Sequence, residues 1–250
     1  MNDGFLNSYT HQTGNILQQL LMREGLLTIP EPLSALAFDE PVPESRQGKM
    51  LNPTIPSKTD IAIIEISTIK EFVFNGFHFQ YNHILRHIMD HFNTPEEAKI
   101  WLEEIQRDER NQCLINKIVP TRLTPELQDA ARNMRVTIQP SESVIADMKK
   151  MAAILGIPIL WVSHNRLPMD DGSYIAQREV LVNAMRQGAA ELGQGFFEPT
   201  PYIENFGTEK AMDNVFEYTQ EFIAIIGVIY LFSLNEVYDH SLGKPRTLAS

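Results

Sequence analysis

The run Asp60–Ser67 is nearly all apolar and β-branched, and it ends in residues that could take part in chemistry. Side chains alternate along a strand, so Glu65 and Ser67 are expected to point the same way. A carboxylate inside an apolar strand is costly unless it is paired, and Lys70 is a nearby candidate partner. We predict Ser67 as a catalytic residue and Glu65 and Lys70 as substrate-binding residues. The alternative is a buried ion pair or a capped strand end.

A second apolar run, Ile157–Ser163, is followed by His164 and Asn165. Histidine is the usual general base near neutral pH, so we predict His164 as catalytic and Asn165 as substrate-binding. Arg178 opens the next predicted helix, and we predict that its guanidinium binds substrate, since it could hold an anionic group by two hydrogen bonds. The alternatives are a structural histidine and an arginine that pairs with an acidic residue such as Glu198.

Three histidines, His83, His87 and His91, follow one another at intervals of four residues in a helix predicted over 78–92. An i, i+4 pair of histidines can bind zinc. The full trio would extend over about 12 Å of helix axis, which is too far for one ion. No metal or cofactor is therefore predicted. A solvated or interfacial helix face and a metal-dependent enzyme that uses His83 and His87 both stay open.

These residues need elements to position them, and strands alternate with helices along the chain. Further helices are predicted over 10–26, 94–107, 141–155 and 175–192, with a short third strand at 196–198 and a helix, or a helix and a strand, over 215–232. This alternation is typical of an α/β fold with a mostly parallel sheet, in which ligands bind outside the carboxyl ends of the strands. We predict a single α/β domain over residues 1–240, with a long irregular loop at 29–58 and a flexible tail at 241–250.

Charge and hydropathy argue against two classes of partner. The net charge is −11, with 21 basic residues scattered among 32 acidic ones. A phosphate backbone is bound by clustered Lys and Arg, so nucleic acid is not a predicted partner. The longest apolar stretch, Phe222–Leu234, has 13 residues, whereas a helix that spans a membrane needs about 20. We therefore predict a buried core element there and no membrane partner.

The compartment is predicted from the N-terminus and the cysteine content. No basic region followed by an apolar run opens the sequence, so no signal peptide is expected. Cys113 is the one cysteine, which excludes an internal disulfide and fits a reducing compartment. We predict a cytoplasmic protein.

The order of short motifs along the chain is similar to that of one superfamily. Glu-Ile-Ser-Thr-x-Lys at 65–70 and Val-Ser-His-Asn at 162–165 precede a helix that opens on Gln-Arg, then Gly-x-Gly-Phe-Phe-Glu-Pro-Thr at 193–200 and Glu-Tyr-Thr-x-Glu-Phe at 217–222. Over residues 8–232 this resembles the SGNH/GDSL hydrolase superfamily, in particular divergent members associated with bacterial polysaccharide genes. The resemblance implies a flavodoxin-like three-layer sandwich and an esterase or acyl-transfer reaction on a sugar or other polar ester substrate.

The sequence departs from that superfamily at its three functional blocks. It has no Gly-Asp-Ser nucleophile block, residues 65–68 stand in place of the Gly-x-Asn-Asp block, and residues 213–217 lack the histidine of the Asp-x-x-His block. Acyl transfer needs a nucleophile, a base and an oxyanion hole together. Two hypotheses thus join the metal-dependent one: an enzyme with an altered site that uses Ser67 and His164, and a catalytically silent protein that binds a ligand or partner. The expected partner is a small or carbohydrate-type molecule, and a homo-oligomer stays open.

Overall fold

A computed structural model describes residues 12–50, 61–169, 171–173, 175–214 and 217–241. Nearly all of the tail predicted at 241–250 lies outside these residues, as do residues 51–60. The strands are β1 (Ala62–Ile66), β2 (Lys70–Phe74), β3 (Phe77–Phe79), β4 (Arg135–Ile138), β5 (Ile159–Ser163), β6 (Gly195–Phe197), β7 (Met212–Asn214) and β8 (Glu217–Tyr218). The helices are α1 (Thr13–Arg23), α2 (Glu31–Phe38), α3 (Glu44–Met50), α4 (Tyr81–His87), α5 (Pro95–Glu104), α6 (Gln112–Ile118), α7 (Pro125–Asn133), α8 (Ser141–Leu155), α9 (Ala176–Leu192), α10 (Thr200–Phe206), α11 (Thr208–Ala211) and α12 (Gln220–Ser241).

Internal contacts divide the chain into two compact units. Unit 1 comprises Met1–Ile55 and Lys70–Gln139, and unit 2 comprises Pro56–Ile69 and Pro140–Ser250. Each unit is built around its own sheet, since β2, β3 and β4 pair in unit 1 whereas β1, β5 and β6 pair in unit 2. The single domain over 1–240 stays a prediction.

The sheet of unit 2 is parallel, with the strand order β1-β5-β6. Ile66 pairs with Ser163, so β1 and β5 end side by side. α8 leads into β5 through Gly156, whose left-handed backbone (φ 63°) ends the helix, as glycine does at many helix C-termini. α9 then links β5 to β6. The predicted α/β class and its parallel strands are confirmed.

Alternate residues of β5 face different surroundings, as the pleat of a strand requires. Leu160 and Val162 belong to one apolar cluster with Phe222 and Ile226 of α12. Gly195 of β6 has no room for a side chain, because an added Cβ would overlap a methyl group of α12. Close packing thus holds one face of α12 on β5 and β6.

The prediction that Phe222–Leu234 is a core element is correct for that face only. The opposite face of α12 exposes Val228, Leu231 and Phe232, and Phe232 is 67% exposed. Within the part of the chain that the structure describes, Gln220–Asp239 is the one helix whose length and composition suit a bilayer crossing, and 11% of its most apolar window is buried. Length and composition do not by themselves show that a helix enters a membrane.

A hairpin organises unit 1. β2 and β3 are joined by Asn75 and Gly76, which both have positive φ (50° and 79°), as tight two-residue hairpin turns require. β4 pairs antiparallel with the other edge of β2. Phe72, Phe74 and Phe79 face the apolar core of the unit, so one face of this small sheet is buried against helices.

Of the long irregular loop predicted at 29–58, residues 51–58 lie outside the described residues, whereas over 29–50 the structure has α2 and α3. The prolines mislead because Pro32 falls in the first turn of α2, where no N–H is needed for the helix. Asp39 ends α2 in the left-handed conformation (φ 67°). Prolines at helix starts therefore mark helices here.

The helix predicted over 78–92 is also wrong in its bounds. Its first residues belong to β3, α4 ends at His87, and Met89–His91 forms a separate 3-10 turn. The Asn75-Gly76 turn draws the following residues into a strand, which local helical spacing does not reveal. His83 and His87 share a helix, and His91 does not.

Candidate functional site

Five of the six predicted site residues lie in unit 2, at or after the ends of β1 and β5. Ser67 follows β1 directly, and His164 and Asn165 follow β5. Because Ile66 and Ser163 are paired, these polar residues begin at one edge of the sheet. The carboxyl ends of parallel strands are where ligands bind in open α/β sheets.

Asn165 and Arg178 form the buried part of this cluster. The Arg178 guanidinium donates a hydrogen bond from Nη1 to Asn165 Oδ1 at 3.2 Å, and the same oxygen accepts the Leu167 backbone N–H at 3.2 Å. Both side chains are almost fully buried, at 2% and 6% exposure. Burial lowers the pKa of the Arg178 guanidinium from its ordinary value, because desolvation disfavours the charged form.

Glu198 pairs with other arginines, in contrast to the alternative in which it would hold Arg178. Arg166 Nε donates to Glu198 Oε1 at 2.6 Å, and Arg186 forms an ion pair with Glu198 Oε2. Arg166 also reaches Glu179 Oε2 at 2.5 Å. These ion pairs fix the chain just after β5, so the loop that carries His164 and Asn165 is anchored on both sides.

Ser163 is a residue that sequence reasoning quoted but did not place in the site. Ser163 is 1% exposed, and its Oγ has no hydrogen-bond partner among the described residues. A buried hydroxyl without a partner is unusual, since it costs about 1–3 kcal/mol. The sequence signal that could have placed Ser163 in the site is its position as the last residue of the buried strand β5. Ser163 lies beside His164, whose Nδ1 is 3.4 Å from the Asn165 carbonyl oxygen.

The Glu65 side chain is solvent-accessible at the edge strand β1, and its substrate-binding role stays a prediction. The protein around the carboxylate nevertheless raises its pKa by desolvation. Burial, and secondarily the charge of Glu65, raise the pKa of Tyr218 to about 12. Burial is also the main cause of the raised pKa of Tyr230, followed by the charges of Tyr218 and Glu65.

Ser67 lies beyond the last residue of β1, so strand alternation does not decide where its side chain points. Lys70 begins β2 and belongs to unit 1. Its Nζ donates to Gln106 Oε1 at 2.6 Å and lies 5.8 Å from the centroid of the Phe72 ring. Within unit 1 these contacts join Lys70 to the segment that follows α5 and to its own strand, and its substrate-binding role stays a prediction.

The paired histidines of α4 contact the end of α2. His83 Nδ1 is 3.3 Å from the Leu36 carbonyl oxygen, and His87 Nε2 is 3.0 Å from that of Asp39. No cluster of three or more His, Cys, Asp or Glu suited to a metal occurs among the described residues. Desolvation lowers the pKa of both imidazoles. Their contacts are those of histidines that join two helices.

The fold class of unit 2 is an open α/β sheet, and in such sheets the carboxyl ends of the parallel strands are the usual place for a ligand. The chain belongs to the TviD N-terminal domain family, whose model matches residues 1–231. It is 27% identical over 247 residues to the Vi polysaccharide biosynthesis protein TviD of Salmonella typhi. The match covers 95% of this chain and 29% of that protein, so the chain spans less than a third of its relative. No solved structure matches the chain.

Proposed function

We propose that this chain modifies a carbohydrate in polysaccharide biosynthesis, by ester hydrolysis or acyl transfer on a sugar or similar polar substrate. Its relative is named for polysaccharide biosynthesis, and the order of its strand-end motifs resembles the SGNH/GDSL hydrolases. A flavodoxin-like arrangement around the parallel sheet of unit 2 is part of the same proposal. The observation that carries it is the buried Asn165–Arg178 pair beside His164 at the end of β5.

The roles follow from the chemistry of each group. Arg178 and Asn165 bind the polar or anionic part of the substrate, since a guanidinium and an amide donate several fixed hydrogen bonds. Ser67 Oγ attacks the ester carbonyl while His164 takes the hydroxyl proton. The acyl group passes to Ser67, and the sugar alcohol leaves with the proton that His164 returns. Water or a second sugar hydroxyl then takes the acyl group and restores the serine.

The test is hydrolysis of p-nitrophenyl acetate by the full chain. We expect His164→Ala to lower kcat/KM by about 100-fold, which is the usual contribution of a general base. His91→Ala is the matched control, because His91 lies in the 3-10 turn of unit 1. A fluorophosphonate probe is expected to label Ser67.

Two outcomes would overturn the proposal. Equal activity of wild type and His164→Ala would remove His164 from the mechanism. Absence of both turnover and labelling in the wild type would favour the alternative of a catalytically silent ligand-binding protein. The observation that favours this second candidate is the buried Ser163 hydroxyl, which has no partner in the described part of the chain and adds a polar group to the site without adding an accessible nucleophile.

A further inference from the structure

One face of α12 is held on the sheet of unit 2 along most of the helix. Phe222 is fully buried and belongs to the apolar cluster that contains residues of β5 and β6. The Tyr230 ring has its centroid 4.5 Å from that of Phe197 in β6, and Val237 lies directly against Gly195. Contacts with the sheet therefore extend from Phe222 to Val237, so α12 lies along unit 2 and leaves its other face outward.

The outward face of α12 carries an apolar stripe. Its members are exposed and recur at intervals of three and four residues, so they lie on one side of the helix. They are Ala224, Ile225, Val228, Leu231 and Phe232. We call these five residues the outer stripe of α12.

The outer stripe is short and has acidic residues beyond both ends. Glu221 precedes it and Glu236 follows it, both exposed, and residues 222–235 include no charged side chain. From Ala224 to Phe232 the stripe extends over about 12 Å at about 1.5 Å per residue, whereas the hydrocarbon core of a bilayer is about 30 Å thick. α12 also contains no Lys or Arg, the residues that hold helices on anionic membrane surfaces. The stripe therefore suits a protein surface better than a lipid one.

The area of the outer stripe is sufficient for a weak specific interface. Its four large side chains are between 36% and 67% exposed. Together with Ala224 they present roughly 400 Å² of apolar surface, which is in the range of the patches that mark interaction sites on monomers. Two such stripes in contact would bury roughly 800–900 Å², close to the lower limit of about 1,000 Å² for a specific interface. A reversible dimer is expected from this area.

The order of residues in the stripe is complementary to itself when the direction is reversed. In an antiparallel pair of helices with a two-fold axis at Val228, Ala224 lies at the level of Phe232 of the second copy. Ile225 lies at the level of Leu231 in the same way. The smallest residue of the stripe thus meets the largest one, which lets the two helices approach closely.

The acidic residues beyond the stripe favour the same register. In the antiparallel pair Glu221 lies level with Asn235 of the second copy, and Glu236 lies level with Gln220, so that each acid meets an amide. A parallel pair would place each glutamate beside its own copy, and like charges that face each other across an interface repel. The charges therefore select the antiparallel arrangement.

We propose that the outer stripe of α12 is the interface of a homodimer, in which two copies of this chain pair their α12 helices antiparallel about a two-fold axis at Val228. The occupant of the stripe is a second copy of the chain, not a membrane and not an unrelated protein. The interface uses none of the residues proposed for ester chemistry, so it can be tested whatever the outcome of that chemistry.

The first test is sedimentation equilibrium of the full chain across the micromolar range. We expect a reversible equilibrium between the 28.5 kDa chain and its dimer. Val228→Glu places two carboxylates together on the axis and should weaken dimerisation at least about 100-fold, because facing like charges repel strongly in a desolvated interface. Val180→Glu is the matched control and should leave dimerisation unchanged, since Val180 is exposed on α9 of the same unit. Circular dichroism checks that both variants are folded.

The second test is oxidative cross-linking, which reports the register. It uses a Cys113→Ser background, which removes the exposed native thiol. Val228→Cys should give a disulfide-linked dimer, because the two copies of this residue meet on the axis. Ile223→Cys should not, since its two copies lie about 15 Å apart along the helices, beyond the reach of a disulfide.

Four results would overturn the proposal. They are a chain that stays monomeric across the concentration range, a dimer that Val228→Glu leaves unchanged, equal cross-linking at positions 223 and 228, and a dimer that gives no cross-link at position 228. Co-sedimentation of a monomer with vesicles of phosphatidylethanolamine and phosphatidylglycerol, lost in Val228→Glu, would assign the stripe to a membrane instead.

Discussion

α1 and α12 depart from the usual burial pattern in opposite directions. α1 buries polar residues, among them Asn15, Gln18 and Gln19, whereas α12 exposes Leu231 at 59% and Phe232 at 67%. Polar side chains are normally outside, and a row of large apolar ones is normally inside. The first departure is compensated by hydrogen bonds within the protein. The second has no such compensation among the described residues.

The difference teaches what each helix contributes to its unit. α1 contacts the hairpin through hydrogen bonds of its amide side chains, so its attachment depends on the direction and identity of each partner. α12 packs on β5 and β6 through Phe222, Ile226 and neighbouring apolar residues, so its attachment depends on buried area. Polar substitutions should therefore be felt strongly in the hydrogen-bonded part of α1 and weakly on the outer face of α12.

Among the hydrogen-bonded residues of α1, the largest effect on stability is expected for Gln18→Leu. The substitution removes both hydrogen bonds to the His78 backbone and leaves its N–H unpaired in a part-buried setting. We expect the free energy of unfolding to fall by about 2–3 kcal/mol, measured by urea denaturation followed by circular dichroism. Gln106→Leu is the control in the same unit, since its exposed hydrogen bonds exchange readily for water. Equal losses of unfolding free energy in the two variants would show that the buried amides of α1 stabilise the protein no more than an exposed amide does.

A pair of glycine substitutions is expected to have opposite signs. Gly14→Ala would crowd Glu71 and His78, so we expect a loss of about 1–2 kcal/mol of unfolding free energy from overpacking. Gly227→Ala in α12 meets nothing within 4 Å and should gain about 0.5–1 kcal/mol from helix propensity. Thermal unfolding of both variants checks the signs. A stabilised Gly14→Ala would mean that the acid–imidazole pair moves aside freely.

The smallest effect on stability is expected when polar residues replace apolar ones on the outer face of α12. The double variant Leu231→Gln, Phe232→Gln should change the unfolding free energy by no more than about 0.5 kcal/mol per site, as exposed positions usually do. Phe222→Ala, on the buried face of the same helix, is the control and should cost about 3–5 kcal/mol. Analytical ultracentrifugation checks that the wild type and the double variant are both monomeric at the concentration of the unfolding measurement. A loss above about 2 kcal/mol would show that another part of the same chain covers this face.

The starts of helices, the glycines that end them and the strands β1 and β5 were predictable, because these features depend on neighbouring residues. Thr94 caps α5 by accepting the Glu97 N–H, Gly156 ends α8, and β1 and β5 lie within the two apolar runs. The Asn75-Gly76 turn was an equally local signal, and together with the apolar residues on both sides of it over 70–79 it predicts a hairpin. Overlooking that turn assigned His78 to a helix and hid its relation to Glu71.

The partners of the candidate site residues were much less predictable. Arg178 was equally compatible with a carboxylate or with a ligand, and the structure gives it Asn165 as a hydrogen-bond partner. Glu198 instead joins Arg166 and Arg186. The pairing of charged residues depends on how helices pack and where loops run. Neither of these produces a periodic pattern in the sequence.

The sequence by itself determined that polar residues of types used in catalysis follow two apolar strands, because strand pattern and turn residues act over a few positions. It also determined the α/β class, which follows from the alternation of those strands with helices. Only the tertiary structure decided that Ile66 and Ser163 end side by side, that Glu71 and His78 lie against Gly14, and that α12 keeps an apolar face outside the core. These features join residues far apart in the chain, and packing between elements, which no local spacing encodes, sets them.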